Sequence, residues 1–285
     1  IQTKTFIVYK SDLNNSNSLS HNTVMSIYED SQGILWIATS GGGLNRFNPL
    51  TETFKHITLS DGLPNNVIYG ILPDMSGNLW LSTNFGLACY NPETNIVRNY
   101  DERDGLQSNE FNQGAFCKGI DGRLYFGGVS GFNSFDPEKI VQNKNIPPIV
   151  FTKFKILNKP VNLNMLLSST GYINLTRDDN YISFEFAALD YTIPEKNKYM
   201  YKLERFDDEW NLAGTRRYAA YTNLDAGEYV FKVKGSNNDE VWNEKGAAIK
   251  IVVTPPYWKT YWFRALISIC LVSIIILIYR RRIKG

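Results

Sequence analysis

Two acidic segments of the 285-residue chain carry side chains that catalysis or metal binding would require. Residues 205–210, "RFDDEW", offer paired carboxylates for acid/base chemistry. Residues 101–105, "DERDG", gather the oxygen atoms that calcium prefers, but without the ligand spacing of an EF-hand loop. Because the sequence places no second carboxylate pair opposite the first segment, a solvated turn is its simpler interpretation. We therefore predict no catalytic residue, no metal site and no cofactor.

A set of amide-rich segments offers a different chemistry, the recognition of an uncharged ligand. Amide side chains supply neutral donors and acceptors, which suit a small molecule or an oligosaccharide with many hydroxyl groups. The competing interpretation is that asparagine is common in ordinary turns. The candidate ligand-binding residues are His21, Asn22, Asn65, Asn66, Asn109, Glu110 and Asn112.

Motif content and charge disfavour several other functions. The chain has no G-x-x-x-x-G-K-[ST], no H-E-x-x-H and no G-x-S-x-G motif. It has only two histidines, so a histidine-based catalytic or zinc site is difficult to assemble. The net charge is +2, and the residues up to Tyr279 carry 26 basic against 28 acidic side chains. This balance gives no indication of nucleic-acid binding.

The elements that would position the amide segments repeat about every 44 residues. The repeat centres are "EDSQGILWIAT", "PDMSGNLWLST" and "GIDGRLYFGG", at 29–39, 73–83 and 119–128. Asp-to-Gly turns and runs of β-branched and aromatic residues predict four short strands per unit, at 24–29, 34–39, 43–47 and 53–58 in the first. Equivalent positions hold Gly33, Gly77 and Gly122, and then Trp36, Trp80 and Tyr125.

Four strands in about 45 residues are typical of a β-propeller blade. We predict a partial propeller over residues 1–143, with three four-stranded blades at about 6–53, 54–96 and 97–140. Three blades cannot close a ring, so we expect further blades upstream in a longer protein.

The pattern D-x-x-G-x-L-W-[IL]-[AS]-T, followed by G-L and [FY]-N-P, resembles the two-component regulator propeller repeat. The third unit, with Tyr125 in place of tryptophan, resembles the closing repeat of such arrays. The resemblance implies the extracytoplasmic part of a bacterial sensor protein.

The second half, residues 144–257, predicts an immunoglobulin-like antiparallel β-sandwich of about seven strands. Its strands alternate with period two, for example in "YISFEFAAL" and "EYVFKVKG". The order of its aromatic residues resembles the three-tyrosine (Y_Y_Y) domain. These residues suit a sugar-stacking platform, but their strand spacing favours core and cross-strand pairs. They are Tyr199, Tyr201, Trp210, Tyr221 and Tyr229.

The C-terminal stretch 258–280 predicts a single transmembrane helix followed by a cytoplasmic stub, 281–285. Ala265 to Tyr279 is almost entirely apolar, and the next residues are Arg280, Arg281 and Arg282. The positive-inside bias then places residues 1–257 in the periplasm and the C-terminus in the cytoplasm. The competing interpretation is a buried core helix.

Of three cysteines, Cys89, Cys117 and Cys270, none is expected in a disulfide.

Together these features predict the ligand-sensing, signal-transmitting part of an inner-membrane sensor, and not an enzyme in itself. The resemblance implies a histidine kinase that responds to oligosaccharides and controls carbohydrate-utilisation genes. We also expect a homodimer and no contact with nucleic acid. The alternatives are a membrane-tethered polysaccharide-active enzyme and a scaffold propeller that does not signal.

Overall fold

The computed structural model describes residues 6–162, 171–176, 178–256, 258 and 261–284. The chain divides into two compact units, Ile1–Gln142 and Asn143–Gly285. The described parts of both units consist mainly of β-strands, and the second unit also carries the C-terminal helix.

The first unit consists of three antiparallel sheets whose strands follow one another in chain order. The innermost strands β1, β5 and β9 contact one another, as the central strands of propeller blades do. Propeller-like repeats are therefore confirmed. The blades are β1 (Val24–Glu29), β2 (Leu35–Thr39), β3 (Leu44–Asn48) and β4 (Thr53–Ile57); β5 (Ile68–Pro73), β6 (Leu79–Thr83), β7 (Leu87–Asn91) and β8 (Ile96–Tyr100); and β9 (Phe111–Lys118), β10 (Leu124–Gly128) and β11 (Gly131–Phe135).

The third blade differs from the prediction of four strands, because its described residues form only three. Directly after β11, Asp136 caps a 3-10 turn that spans Pro137–Lys139. Proline has a fixed φ and no N–H to donate to a ladder, so the chain leaves the sheet at this point.

Buried apolar side chains fill the spaces between neighbouring blades. Between the first two blades, Trp36 and Tyr90 meet edge to face with ring centroids 5.8 Å apart. Between the second and third, Trp80 lies 4.7 Å from the Phe135 ring and 5.3 Å from the Tyr100 ring. The tryptophans of the first two repeat centres thus pack against the next blade.

The second unit is a β-sandwich, and the alternating apolar residues of "YISFEFAAL" and "EYVFKVKG" face its core. One sheet has the order β13-β12-β15-β18 and the other β14-β20-β19-β16-β17. The strands are β12 (Ile149–Ile156), β13 (Lys159–Val161), β14 (Ile173–Leu175), β15 (Tyr181–Ala188), β16 (Tyr199–Glu204), β17 (Asn211–Gly214), β18 (Tyr218–Thr222), β19 (Gly227–Ser236) and β20 (Trp242–Val253).

Two details of the sandwich correct the sequence-based prediction. The described residues form nine strands where about seven were expected. The sheet is also not wholly antiparallel, because the short strand β14 pairs in parallel with β20. Three-residue strands such as β14 have too little period-two pattern to be found from sequence.

The C-terminal helix α1 spans Tyr261–Lys284. It starts three residues later than predicted and continues into the residues predicted as a cytoplasmic stub. Within the part of the chain that the structure describes, no helix is both long and apolar enough to cross a membrane. The predicted membrane span is therefore not confirmed.

Candidate functional site

The amide-rich candidates lie on three segments, 18–24, 62–68 and 105–111, which we call the approach segments. Each leads into an innermost strand, β1, β5 or β9. The chain reaches the second and third segments through one-turn 3-10 helices, Leu59–Asp61 and Glu102–Asp104, which end at glycines with left-handed backbones. All three segments therefore lie at the same end of their blades.

Asn66 and Asn109 hold equivalent positions, and each accepts a backbone hydrogen bond from the loop before it. The Asn66 Oδ1 accepts the Leu59 N–H at 2.9 Å, and the Asn109 Oδ1 accepts the Glu102 N–H at 2.9 Å. Each bond closes the loop that crosses from one blade to the next. The amide NH2 groups of both residues have no protein partner among the described residues, and these are the atoms left for a ligand.

The backbone carbonyls of the same two residues join neighbouring blades. The Asn66 carbonyl accepts the N–H groups of Gly41 and Gly43, and the Asn109 carbonyl accepts that of Gly86. Gly43 requires glycine, because its φ is +75° and a Cβ there would lie 2.2 Å from the Ile57 carbonyl oxygen. The loops β2–β3 and β6–β7 are thereby fixed beside the approach segments.

The remaining candidates divide into loop-forming and exposed side chains. His21, Asn22 and Asn65 accept backbone N–H groups of Thr23, Ser11 and Val67 at 3.1, 2.8 and 2.8 Å. Glu110 and Asn112 flank the first residue of β9 with exposed side chains. The structure brings His21 to the Gly41 loop, where a Cβ on Gly41 would lie 3.9 Å from its ring.

Sequence reasoning missed one exposed aromatic residue at this end of the blades. Phe85, at the tip of the β6–β7 loop, has 52% of its side chain exposed. Its neighbour Gly86 is bonded to the Asn109 carbonyl, and Asn84 accepts the Tyr69 hydroxyl at 3.2 Å. The sequence did contain a signal for this residue, because the equivalent loop of the first blade has glycine where this loop has Phe85. We call the approach segments and these loops (40–43, 84–86 and 128–130) the approach face.

A second missed feature is the hydrogen bond between the tryptophan of the first two repeats and the aspartate six residues before it. The Trp36 indole N–H donates to Asp30 Oδ2 at 2.8 Å, and the Trp80 indole donates to Asp74 Oδ2 at 3.1 Å. The other oxygen of each carboxylate accepts backbone N–H groups of its hairpin turn. Each Asp therefore fastens the turn to the buried aromatic residue.

The third repeat lacks both partners of this bond. In the hairpin hydrogen bonding, Gly119 occupies the place of Asp30 and Asp74, because its N–H bonds to the Arg123 carbonyl. Tyr125 replaces the tryptophan and has no indole N–H. Asp121 instead caps the turn through the Arg123 N–H at 3.2 Å.

Both acidic segments have structural partners. Asp207 Oδ2 accepts the Tyr221 hydroxyl at 2.6 Å and the Leu203 N–H at 2.7 Å. Asp101 is the N-cap of the 3-10 helix Glu102–Asp104 and lies 2.6 Å from the Arg103 guanidinium. Among the described residues, no group of three or more His, Cys, Asp or Glu side chains is placed to hold a metal ion.

Three of the four motif tyrosines, Tyr199, Tyr221 and Tyr229, are buried. Tyr199 is 1% exposed and its hydroxyl accepts the Ala188 N–H at 3.1 Å. The Tyr229 hydroxyl donates back to the Asp225 carbonyl at 2.9 Å, an arrangement that resembles the tyrosine corner of immunoglobulin-type sandwiches. Tyr201 is half-buried, and Lys234 lies 4.9 Å from the centre of the Trp210 ring.

These features define a class of protein, one that joins propeller blades of a particular repeat type to a tyrosine-rich β-sandwich. Residues 18–41 and 62–85 match the Two component regulator propeller family, and residues 190–254 match the Y_Y_Y domain. The resemblance noted in the sequence is confirmed, and the chain contains both types of module.

The chain is also similar to known proteins. Over 195 residues the chain is 34% identical to Histidine kinase P4 from Formosa agariphila, covering 66% of this chain and 14% of that protein. The extracellular domain of BT3049 from B. thetaiotaomicron, assigned to a hybrid two component system, has a similar fold. Its crystal structure superposes with a TM-score of 0.65 at 24% identity, covering 89% of this chain and 41% of that one. The chain therefore spans a small part of the kinase and less than half of the BT3049 domain.

Proposed function

We propose that this chain is the ligand-sensing and signal-transmitting part of the extracellular region of a membrane-bound hybrid two-component sensor. The observation that carries the proposal is the occurrence of both modules in one chain that is 34% identical to a histidine kinase. In this proposal the approach face binds the ligand, and the sandwich passes the change to α1. Kinase activity belongs to a cytoplasmic part of the whole protein.

The proposed ligand is an oligosaccharide, and the proposed response is transcription of carbohydrate-utilisation genes. The free amide NH2 groups of Asn66 and Asn109, the exposed Glu110 and Asn112 and the exposed Phe85 ring support this class. They combine hydrogen-bonding groups with an apolar surface, as sugar recognition requires. The ligand must bind two states of the sensor with different affinity, since otherwise it shifts no equilibrium.

The ligand-binding role is tested by separating the two functions of Asn109. In Asn109→Asp the Oδ acceptor for the Glu102 N–H is retained while the amide donors are lost. In Asn109→Ala both are lost. Binding of a panel of neutral oligosaccharides to the full chain is measured by calorimetry. We expect the Asp variant to fold normally and bind about tenfold more weakly.

Unchanged affinity in both variants would remove Asn109 from the binding site. Release of shorter products from any glycan would instead favour the enzyme alternative over the sensor. The same calorimetry samples, followed by product analysis, give both answers.

The extracellular location and the membrane attachment through α1 remain part of the proposal, together with a homodimer. A run of predominantly apolar residues followed by three arginines supports the attachment. Along the described part of α1 nearly all side chains are exposed, large apolar ones included, so they are not covered by the sandwich.

Two native cysteines provide a test of location in intact cells. Cys117 is exposed, whereas Cys89 is buried, and burial raises the pKa of the Cys89 thiol to about 12. In spheroplasts, a membrane-impermeant maleimide is expected to label the Cys270→Ser protein at Cys117. The control carries Cys117→Ser in addition. Labelling only after lysis would place the blades inside the cell and contradict the proposal.

A further inference from the structure

A cleft lies between the first two blades, at the end opposite to the approach face. It is lined by the β1–β2, β5–β6 and β7–β8 turns and by the side chains between them. Its volume is about 410 Å³, within the roughly 300–1,000 Å³ range of ligand pockets.

One row of side chains on the first blade contributes three lining residues to this cleft, Tyr28, Trp36 and Arg46. The strand register places Tyr28 opposite Trp36, Trp36 opposite Arg46, and Arg46 opposite Lys55. Directly paired residues of an antiparallel sheet share a face, so these four side chains point the same way. Lys55 is engaged, because its ammonium group donates to Asn95 Oδ1 at 2.9 Å.

Arg46 is half-buried, and among the described residues its guanidinium group has no hydrogen bond and no ion pair. A guanidinium group carries five N–H donors, and partly buried charged groups are normally paired. The Tyr28 hydroxyl, in the same cleft, also has no hydrogen-bond partner in the described part of the chain. Both groups therefore have unused hydrogen-bonding capacity where the cleft is open.

The propeller repeat itself does not require an arginine at this position. The residue paired with the repeat's aromatic residue is Arg46 in the first blade, Cys89 in the second and Ser134 in the third. Among the described residues the Trp80 ring has two aromatic contacts, Phe135 and Tyr100, whereas the Trp36 ring has one, Tyr90. Among the three described blades, the arginine is thus particular to the first.

The acidic side chains of the cleft select against an anionic ligand. Asp30, Asp74 and Glu93 line it, and each of the two Asp carboxylates already accepts N–H groups from its turn and from an indole. Their negative charge repels a second anion, while their remaining lone pairs accept hydrogen bonds from hydroxyl groups. A hydroxyl group is also an acceptor, so it satisfies Arg46 at the same time. The Tyr28 ring adds an apolar surface for the face of a sugar ring.

From this arrangement we propose that the cleft between the first two blades is a second binding site, which takes an uncharged sugar unit anchored by Arg46. The site is separate from the approach face and stands whether or not the chain transmits a signal.

The test compares two arginine substitutions that remove the same charge. Arg46→Ser introduces the residue that the third repeat has at this place. Arg98→Ser is the matched control, because Arg98 lies in the second blade, is exposed, and donates to Gln142 at 3.2 Å. The full chain is kept in a detergent without a sugar headgroup, which would compete. Binding of neutral and of uronate- or sulfate-bearing oligosaccharides is measured by saturation-transfer NMR and calorimetry.

We expect at least one neutral oligosaccharide to bind, with affinity about tenfold or more weaker in Arg46→Ser and unchanged in Arg98→Ser. Hydrogen exchange of β2 and β6 verifies that the variant is folded. The inference is overturned if no neutral glycan binds, or if Arg46→Ser binds as the wild type does. It is equally overturned if only acidic glycans bind and high salt abolishes that binding. Binding that responds to Asn109→Asp but not to Arg46→Ser would support the approach face alone.

Discussion

Among the sandwich tyrosines, Tyr221 is the one whose hydroxyl we expect to contribute most to the free energy of unfolding. In Tyr221→Phe the hydroxyl that donates to Asp207 Oδ2 at 2.6 Å is removed. A hydrogen bond to a charged group contributes about 1.5–3 kcal/mol to stability. Asp207 is only half-buried and keeps the Leu203 N–H at 2.7 Å, so water can replace part of the loss. We therefore expect a free energy of unfolding lower by about 1.5 kcal/mol.

A matched control is Tyr201→Phe, the same chemical change on a neighbouring tyrosine. Among the described residues, the Tyr201 hydroxyl meets only the exposed Arg216 guanidinium, at 3.5 Å, so the expected effect is below about 0.5 kcal/mol. Hydrogen exchange of the full chain, read on peptides from β15 and β19, reports the unfolding free energy of the sandwich. Peptides from β2 and β6 report the propeller and should not change. Equal protection in the two variants would refute the assigned role of the bond.

The same tyrosine predicts a pH dependence with a definite sign. Burial, and then the Asp207 carboxylate, raises the folded-state pKa of Tyr221 above its ordinary value of 10.0. The folded state therefore holds this proton more tightly than the unfolded state, and the contribution is fully present below about pH 10. It is lost as the pH rises further, so the sandwich should weaken in alkali, and less steeply in Tyr221→Phe. Parallel pH profiles for wild type and variant would contradict this.

Two further predictions concern the blades, both measured by hydrogen exchange of the propeller strands. Asp74→Ala leaves the buried Trp80 indole N–H without its partner and should cost about 2–4 kcal/mol, whereas Asp121→Ala loses only one turn bond and should cost below about 1 kcal/mol. Gly43→Ala forces a left-handed backbone and a clash with a carbonyl oxygen of β4, so we expect a loss of about 3 kcal/mol. Gly114→Ala has a similar φ of +73° but open space around it, and about 1 kcal/mol is expected. Equal losses within either pair would show that the contacts named are not responsible.

The blade strands could be predicted because their information is local. Period-two alternation and Asp-to-Gly turns lie within a few residues of one another, and the first blade has its strands within a residue of the predicted places. Alignment of the third repeat was harder. By sequence, Asp121 is the residue that aligns with Asp30 and Asp74. In the hairpin hydrogen bonds, however, Gly119 takes their position. That equivalence is visible only in the hydrogen bonds.

The hydrogen bonds of the candidate residues could not be predicted from the sequence. The sequence identified Asn66 and Asn109 as equivalent because they precede equivalent strands. It contained no sign that their Oδ1 atoms close loops and that their carbonyls join two blades. Those bonds connect residues whose proximity depends on how the blades pack, which the sequence does not show. Because the oxygen atoms are engaged, a binding role for Asn66 and Asn109 rests on their amide NH2 groups.

By itself the amino-acid sequence determined the repeat, the period-two strands, the sandwich core faces and the relationship to sensor propellers, because each is encoded in spacing along the chain. Only the tertiary structure decided which polar groups are already satisfied and which are open to a ligand. Arg46 shows the physical reason. Its place on β3 follows from the repeat, but whether a described residue pairs with it depends on a neighbouring blade that is adjacent in space and separate in sequence.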